Sequence, residues 1–202
     1  MAHLKVITGP MFSGKTEELI RILHRSDLAG KKITVVKPQV DSRTENEIAS
    51  RRTSDANSRD FKKFGSYPAW PVSSQEELMQ IFETEQPSVL GIDEAQFFAE
   101  WLLDFLATTM KAHSKTDLTI LVAGLDMDAW GRPFGIMPQL MAVADEVQKE
   151  TAICFACKQP AMLTQKLSSS GQQVEVGDIE IYEARCRDCH SLPEVASEAA
   201  KN

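Results

Sequence analysis

The first 153 residues contain no cysteine, and the four that the chain has all lie between Cys154 and Cys189. That distribution excludes a disulfide framework spread over the molecule and predicts a separate small unit near the carboxyl end. A long apolar run is also missing. The best candidate, Leu118 to Leu125 interrupted by Thr119, falls far short of the ~20 residues that cross a bilayer. Basic charge is scarce too: Lys+Arg total 22 against 29 Asp+Glu, a formal net charge of -7. This argues against a nucleic-acid groove or an anionic membrane surface as the main partner, while leaving room for a locally basic site. The opening MAHLKVITG has no charged n-region followed by a long apolar stretch and a cleavage site, so a cytoplasmic protein is expected.

What is present reads as an ordinary globular protein, 43% hydrophobic and 25% charged, with 202 residues to form one full-sized domain and a small appendage. Leu4 to Thr8 is a short apolar run ending at Gly9, and Leu19, Ile20 and Leu23 then share one helical face before Gly30. Ile33 to Lys37 is a second strand, Val89 to Asp93 a third, and Leu118 to Leu125 a fourth whose unbroken apolarity suits a parallel sheet covered on both faces. A fifth strand is expected near Val147 to Ile153. Ser74 and Glu77 form a possible capping box before a helix carrying Leu78, Ile81 and Phe82. Phe98, Trp101, Leu102, Phe105 and Leu106 keep helical spacing and read as core. The alternation predicts an α/β class with a mostly parallel sheet flanked by helices over residues 1–150; the cysteine-bearing stretch 151–192 is expected to be a separate small lobe and 193–202 a loose tail. The polar stretch Asp41 to Ser74 is expected to be a long mobile loop, with the basic run Arg51 to Lys63 as a lid.

Gly9-Pro10-Met11-Phe12-Ser13-Gly14-Lys15-Thr16 fits G-x-x-x-x-G-K-[ST] and lies between a predicted strand and a predicted helix. In that setting backbone amides turn inward around a phosphate, the helix N-terminus favours the anion, Lys15 reaches the β/γ oxygens and Thr16 offers a hydroxyl to Mg²⁺. Asp93 ends an apolar strand where a second metal-facing carboxylate is needed, and Glu94 follows it as base or water-positioner. The pair alone does not separate ATP hydrolysis from phosphoryl transfer to a hydroxyl. Cys154-x-x-Cys157 and, 28 residues on, Cys186-x-x-Cys189 have the paired spacing of a closed structural Zn²⁺ site. His190 is an alternative ligand, and disulfides or a redox pair are the competing readings.

Taken together, GPMFSGKT, IDEAQFF, LD-x-D-x-x-x-x-PFG and YEARCRDC make the chain resemble the type II thymidine kinases from Leu4 to about His190. The resemblance implies a recombinase-type P-loop core joined to a zinc lobe whose lasso-like loop wraps a deoxynucleoside, typically in a homotetramer, with ATP and thymidine as partners. By position it makes Glu94 the base for the 5′-hydroxyl. Asp93 and Thr16 organise Mg²⁺, while Lys15 and Arg43 neutralise the transferring phosphoryl group. The nucleotide contacts would be Gly9 to Thr16 together with Asp93, Glu94, Ala95 and Gln96. Met11, Phe97, Leu125, Thr164 and Tyr182 would line the base pocket, with Val174, Glu175, Val176 and Gly177 as the lasso. Two departures stand out. Relatives carry an aromatic residue where this chain has Ala129, followed here by Trp130, and the lasso has Asp178 in place of a second glycine. The competing function is a P-loop ATPase whose zinc lobe binds protein or nucleic acid. The slightly acidic stretch from Cys154 to His190 disfavours it.

Overall fold

A computed structural model describes residues 1–53, 61–167 and 181–193. Six strands form one parallel sheet: β1 (His3–Thr8), β2 (Ile33–Pro38), β5 (Trp70–Val72), β6 (Val89–Ile92), β7 (Thr119–Gly124) and β8 (Glu146–Lys149), in the order β5-β2-β6-β7-β1-β8. The P-loop strand β1 and the carboxylate strand β6 are thus separated by β7, and all three end on the same edge of the sheet. Helices α1 (Lys15–Leu28), α2 (Gln75–Glu85), α3 (Trp101–Ala112) and α4 (Met137–Val143) cover the faces.

The apolar strands are continuous because both faces are buried. On one side Leu4, Val6, Val36, Leu90, Ile92, Ile120 and Val122 pack with Leu78, Phe82, Leu102, Phe105, Met137 and Leu140 of α2, α3 and α4. On the other, Ile7, Val35, Val89, Leu121 and Ala123 pack with Leu19, Ile20 and Leu23 of α1. Alternate residues of one strand feed opposite cores, as the period of two requires. Ser74 caps α2, its Oγ accepting from the Glu77 amide at 3.3 Å. The Glu77 carboxylate reaches back to the Ser73 amide at 2.8 Å, one residue earlier than a capping box would have it.

The segment 41–74 corrects the expectation of a long mobile loop. It contains β3 (Glu47–Thr53) and β4 (Phe61–Pro68), an antiparallel ribbon, followed by β5 at the edge of the main sheet. Ile48, 2% exposed, and Tyr67 pack the ribbon onto α1 beside Leu19 and Ile20. Two apolar side chains suffice for one face of a short ribbon, so its composition stays polar. The tip of the expected lid, 54–60, lies outside the described residues. The expected fifth strand is two: β8 stays in the sheet, whereas β9 (Ala152–Ile153) leaves it to pair with β10 (Pro160–Ala161). β11 (Leu163–Lys166) and β12 (Tyr182–Arg185) form the second ribbon of the carboxyl-terminal lobe.

Candidate active site and cysteine site

At the end of β1 the chain turns at once. Gly9 has φ 140°, and a Cβ there would lie 2.4 Å from the Glu150 carbonyl oxygen, so no other residue fits. Gly14, at φ 88°, opens α1 in the left-handed region. Lys15 is the first residue of that helix and is buried, with Nζ donating to the Pro10 carbonyl at 2.7 Å. Burial lowers its pKa, and the charges of Glu94, Asp93 and Asp126 oppose the shift. Thr16 Oγ1 lies 3.1 Å from Asp93 Oδ2 and 3.4 Å from Oδ1. The glycine turn therefore brings a helix N-terminus, an ammonium, a hydroxyl and a carboxylate to one place.

β6 delivers the carboxylates. Asp93 is 5% exposed, and burial, reinforced by the Glu94 charge, pushes its pKa up to about 7. Glu94 adopts φ 51°, a left-handed conformation that a glutamate takes only when its surroundings enforce it. Both of its carboxylate oxygens are engaged. Arg43 Nη2 donates to Oε1 at 2.5 Å and Gln96 Nε2 donates to Oε2. Burial alone would raise the Glu94 pKa, but the Arg43 guanidinium, with help from Lys15 and Gln96, outweighs it and holds the carboxyl below its ordinary value. Arg43 in turn is anchored through Nε to Asp41 Oδ1 at 2.6 Å. Gln96 Oε1 accepts from the Leu125 amide at 2.9 Å, which ties this corner to the end of β7.

The remaining residues expected near a base divide in three. Met11 and Thr164 meet directly, the Met11 amide donating to Thr164 Oγ1 at 3.0 Å, so the P-loop touches the lobe. Thr164 stands opposite Ala184 and Lys166 opposite Tyr182, which puts Thr164, Lys166 and Tyr182 on one face of the β11–β12 ribbon. Phe97 and Leu125 flank Gln96, and Phe97 stacks edge-on against Phe134 at 5.8 Å. Phe134 was not among the expected site residues, and its only sequence signal is the Pro133-Phe134-Gly135 punctuation. Gly135 is compelled, since a Cβ there would lie 2.2 Å from the Gln96 carbonyl oxygen. Val174, Glu175, Val176, Gly177 and Asp178 lie outside the described residues. Ala129 is buried with its carbonyl 3.1 Å from His190 Nε2, while the Trp130 ring has the Lys166 ammonium 5.9 Å from its centroid.

Cys154 follows β9 and Cys186 follows β12, so the two ribbons of the lobe present both knuckles to each other. All four Sγ atoms lie within 4.8 Å of one another. A tetrahedral Zn²⁺ with bonds of about 2.3 Å requires sulfurs about 3.8 Å apart, so the spacing suits the ion. The Cys154 thiol is raised by burial, yet amides of Cys157, Cys186 and Ala156 converge on it and bring it down to about 6. His190 is not in the four-cysteine group, and its Nε2 lies 3.1 Å from the Ala129 carbonyl oxygen. Among the described residues Ala152, Cys154, Ala161 and Ala184 form a small buried cluster in the lobe, with Phe12 of the P-loop packing against it and meeting Phe155 at 5.8 Å.

A family model described as thymidine kinase matches residues 2–190. A curated thymidine kinase from Bacteroides thetaiotaomicron is 38% identical over 188 residues, which is 93% of this chain and 86% of that protein. With the match running from the first strand through the last cysteine knuckle, this chain belongs to the thymidine kinase family.

Proposed function

We propose that the chain transfers the γ-phosphoryl group of ATP to the 5′-hydroxyl of thymidine, giving dTMP and ADP. The observation that carries this reading is the Glu94 carboxylate, held ionised by Arg43 and pinned by Gln96 beside a P-loop lysine. A pinned, ionised carboxylate next to a phosphate cradle is what proton removal from an acceptor hydroxyl needs. The amides of Gly9 to Thr16 and the N-terminus of α1 take the phosphates, and Asp93 to Gln96 complete the nucleotide contacts. Lys15 and Arg43 neutralise the charge spread over the transferring group, so positioning and electrostatics dominate.

Thr16 and Asp93, already 3.1 Å apart, would hold Mg²⁺, which when bound neutralises the phosphate oxygens. Met11, Phe97, Leu125, Thr164 and Tyr182 line the base pocket, and the lasso expected at 174–177 lies outside the described residues. Phe134 joins them through its contact with Phe97. Cys154, Cys157, Cys186 and Cys189 hold a structural Zn²⁺, their sulfurs being gathered within 4.8 Å of one another beside a small apolar cluster among the described residues of the lobe. Residues 1–150 form the kinase core and 151–192 the zinc lobe, leaving 193–202 as a tail. The active form is a cytoplasmic homotetramer that uses no nucleic acid.

ADP release with ATP-Mg²⁺ and a panel of deoxynucleosides tests the reading. Thymidine-dependent ADP is expected; ADP formed equally without any nucleoside would point instead to an ATPase and sink the proposal. Sedimentation at micromolar concentration decides the oligomeric state, and metal analysis of reduced protein should return one zinc per chain.

A further inference from the structure

Strand β2 reads Ile-Thr-Val-Val-Lys-Pro, and its lysine has no solvent exposure at all. A buried ammonium persists only when its donors are taken up and its charge is answered, so this position demands an explanation that apolar packing cannot supply. All three donors go to one short segment. Lys37 Nζ donates to the Asp41 carbonyl at 3.0 Å, to Thr44 Oγ1 at 2.9 Å and to the Thr44 carbonyl, and the Asp41 carboxylate lies 3.7 Å away. The Thr44 hydroxyl in turn donates a hydrogen bond to the Glu47 carbonyl at the start of β3. Between those anchors lies Arg43.

The charges form a row that alternates in sign from the end of β2 to the end of β6: Lys37, Asp41, Arg43, Glu94. Asp41 is 8% exposed, faces the ammonium with Oδ2 and holds Arg43 Nε with Oδ1 at 2.6 Å. Arg43 then meets Glu94 at 2.5 Å. Its side chain is 30% exposed and lies on an irregular segment between β2 and β3, so neither helix nor sheet fixes its direction. Lys37, by contrast, stands on a strand held in the sheet between β5 and β6.

We propose that Lys37 is a positioning residue for phosphoryl transfer: it clamps the 41–44 segment so that Arg43 is aimed at Glu94 and at the phosphoryl group beside it. The proposal rests on the roles given above to Arg43 and Glu94. It assigns Lys37 no contact with either substrate. Displacing a charged group by roughly 1 Å from its productive geometry can cost about a hundredfold in rate, which sets the scale expected of a clamp.

The test is a double-mutant cycle on thymidine-dependent ADP release by the full chain. Lys37→Met, which keeps length and removes charge, should lower kcat about a hundredfold with the ATP dissociation constant within about threefold of the parent. In an Arg43→Ala background the same substitution should cost less than about threefold, since there is no guanidinium left to aim. Lys37→Arg, which keeps the charge, should recover part of the turnover in the Arg43 parent only. A purely structural role would instead give equal losses in both backgrounds, and that result, or a Lys37→Met enzyme within threefold of the parent, overturns the proposal. Should Lys37→Met lose its circular dichroism signal, Thr44→Val carries the same cycle without stranding a charge. A five- to tenfold fall confined to the Arg43 parent is then expected, and equal falls refute the clamp. A parent enzyme with no thymidine-dependent turnover would count against the assigned reaction, a failure distinct from any of these.

Discussion

Replacing Glu94 by glutamine removes one charge and almost no volume. If Glu94 takes the proton from the acceptor hydroxyl, the loss of a positioned general base should cost 10²- to 10⁴-fold in kcat, about 3 to 5 kcal/mol of barrier. The price in stability is smaller and can be worked from the contacts. Glu94 accepts from Arg43 on one oxygen and from Gln96 on the other. A glutamine has a single acceptor oxygen, so it keeps one partner and turns a donor toward the second. The lost charge-assisted bond is worth about 1.5 to 3 kcal/mol, offset in part because Asp93 no longer faces a second carboxylate. A 202-residue chain should then melt only a few degrees lower, at about 2 to 4 °C per kcal/mol. The P-loop amides and Lys15 keep their positions, so ATP binding should stay within about threefold.

The pH dependence follows from the direction of the Glu94 shift. A lowered carboxyl pKa means the base is ionised above its ordinary value of 4.5, so activity should show no acid limb from this group between pH 6 and 8.5. Asp93, held up at about 7 by burial and the Glu94 charge, does titrate there; Glu94→Gln removes the second cause, so the ratio of parent to variant turnover should rise with pH across that window as the parent's Asp93 ionises. Coupled ADP release at saturating ATP-Mg²⁺ and thymidine, read at several pH values alongside a melting curve, supplies every number needed. A variant that turned over within a factor of about two of the parent while folded would refute the assignment.

Removing zinc with a chelator should release the lobe: the Thr164 bond to the Met11 amide would be lost, and the KM for thymidine should rise at least tenfold while the ATP dissociation constant moves less than about threefold, both read by steady-state kinetics and calorimetry. Gly9→Ala forces a Cβ to 2.4 Å from the Glu150 carbonyl and should abolish nucleotide binding or cost more than about 2 kcal/mol of stability by urea denaturation. Ile48→Ala should destabilise by about 2 to 4 kcal/mol because the residue pins the β3–β4 ribbon to α1, and a urea midpoint unchanged within error would show the ribbon to be undocked. Ser74→Ala should cost about 1 kcal/mol through the lost cap on α2, measured the same way.

What was legible beforehand tracks how local each determinant is. The P-loop, the Asp93-Glu94 pair and the cysteine knuckles are spacings within a few residues, so their positions follow from chain geometry that tertiary contacts do not override. The apolar strands β1, β2, β6 and β7 were legible because burial on both faces leaves an unbroken hydrophobic run. The β3–β4 ribbon was not, since the apolar contact it makes with α1 rests on Ile48 and Tyr67 in an otherwise polar stretch, so that its composition matches that of a loop. Phe134 was missed for a related reason: only the fold brings it against Phe97, 37 positions earlier in the chain.

Lys37 shows where pattern reading stops. In sequence it is one lysine before a proline at the end of a strand, and a solvated side chain is the default for such a residue. Its burial comes with the placement of β2 between β5 and β6 in the sheet, and β5 was itself hidden in the polar stretch. Once covered, the ammonium must spend its donors locally, and the acceptors it meets belong to the segment that carries Arg43. A net charge of -7 says that the molecule repels anions as a whole. The row from Lys37 to Glu94, with Lys15 beside it, shows how a site for a polyanionic nucleotide is nonetheless built: each cation is fixed by a carboxylate or a carbonyl before the substrate arrives. The ordering cost is then met in folding and not in the transition state.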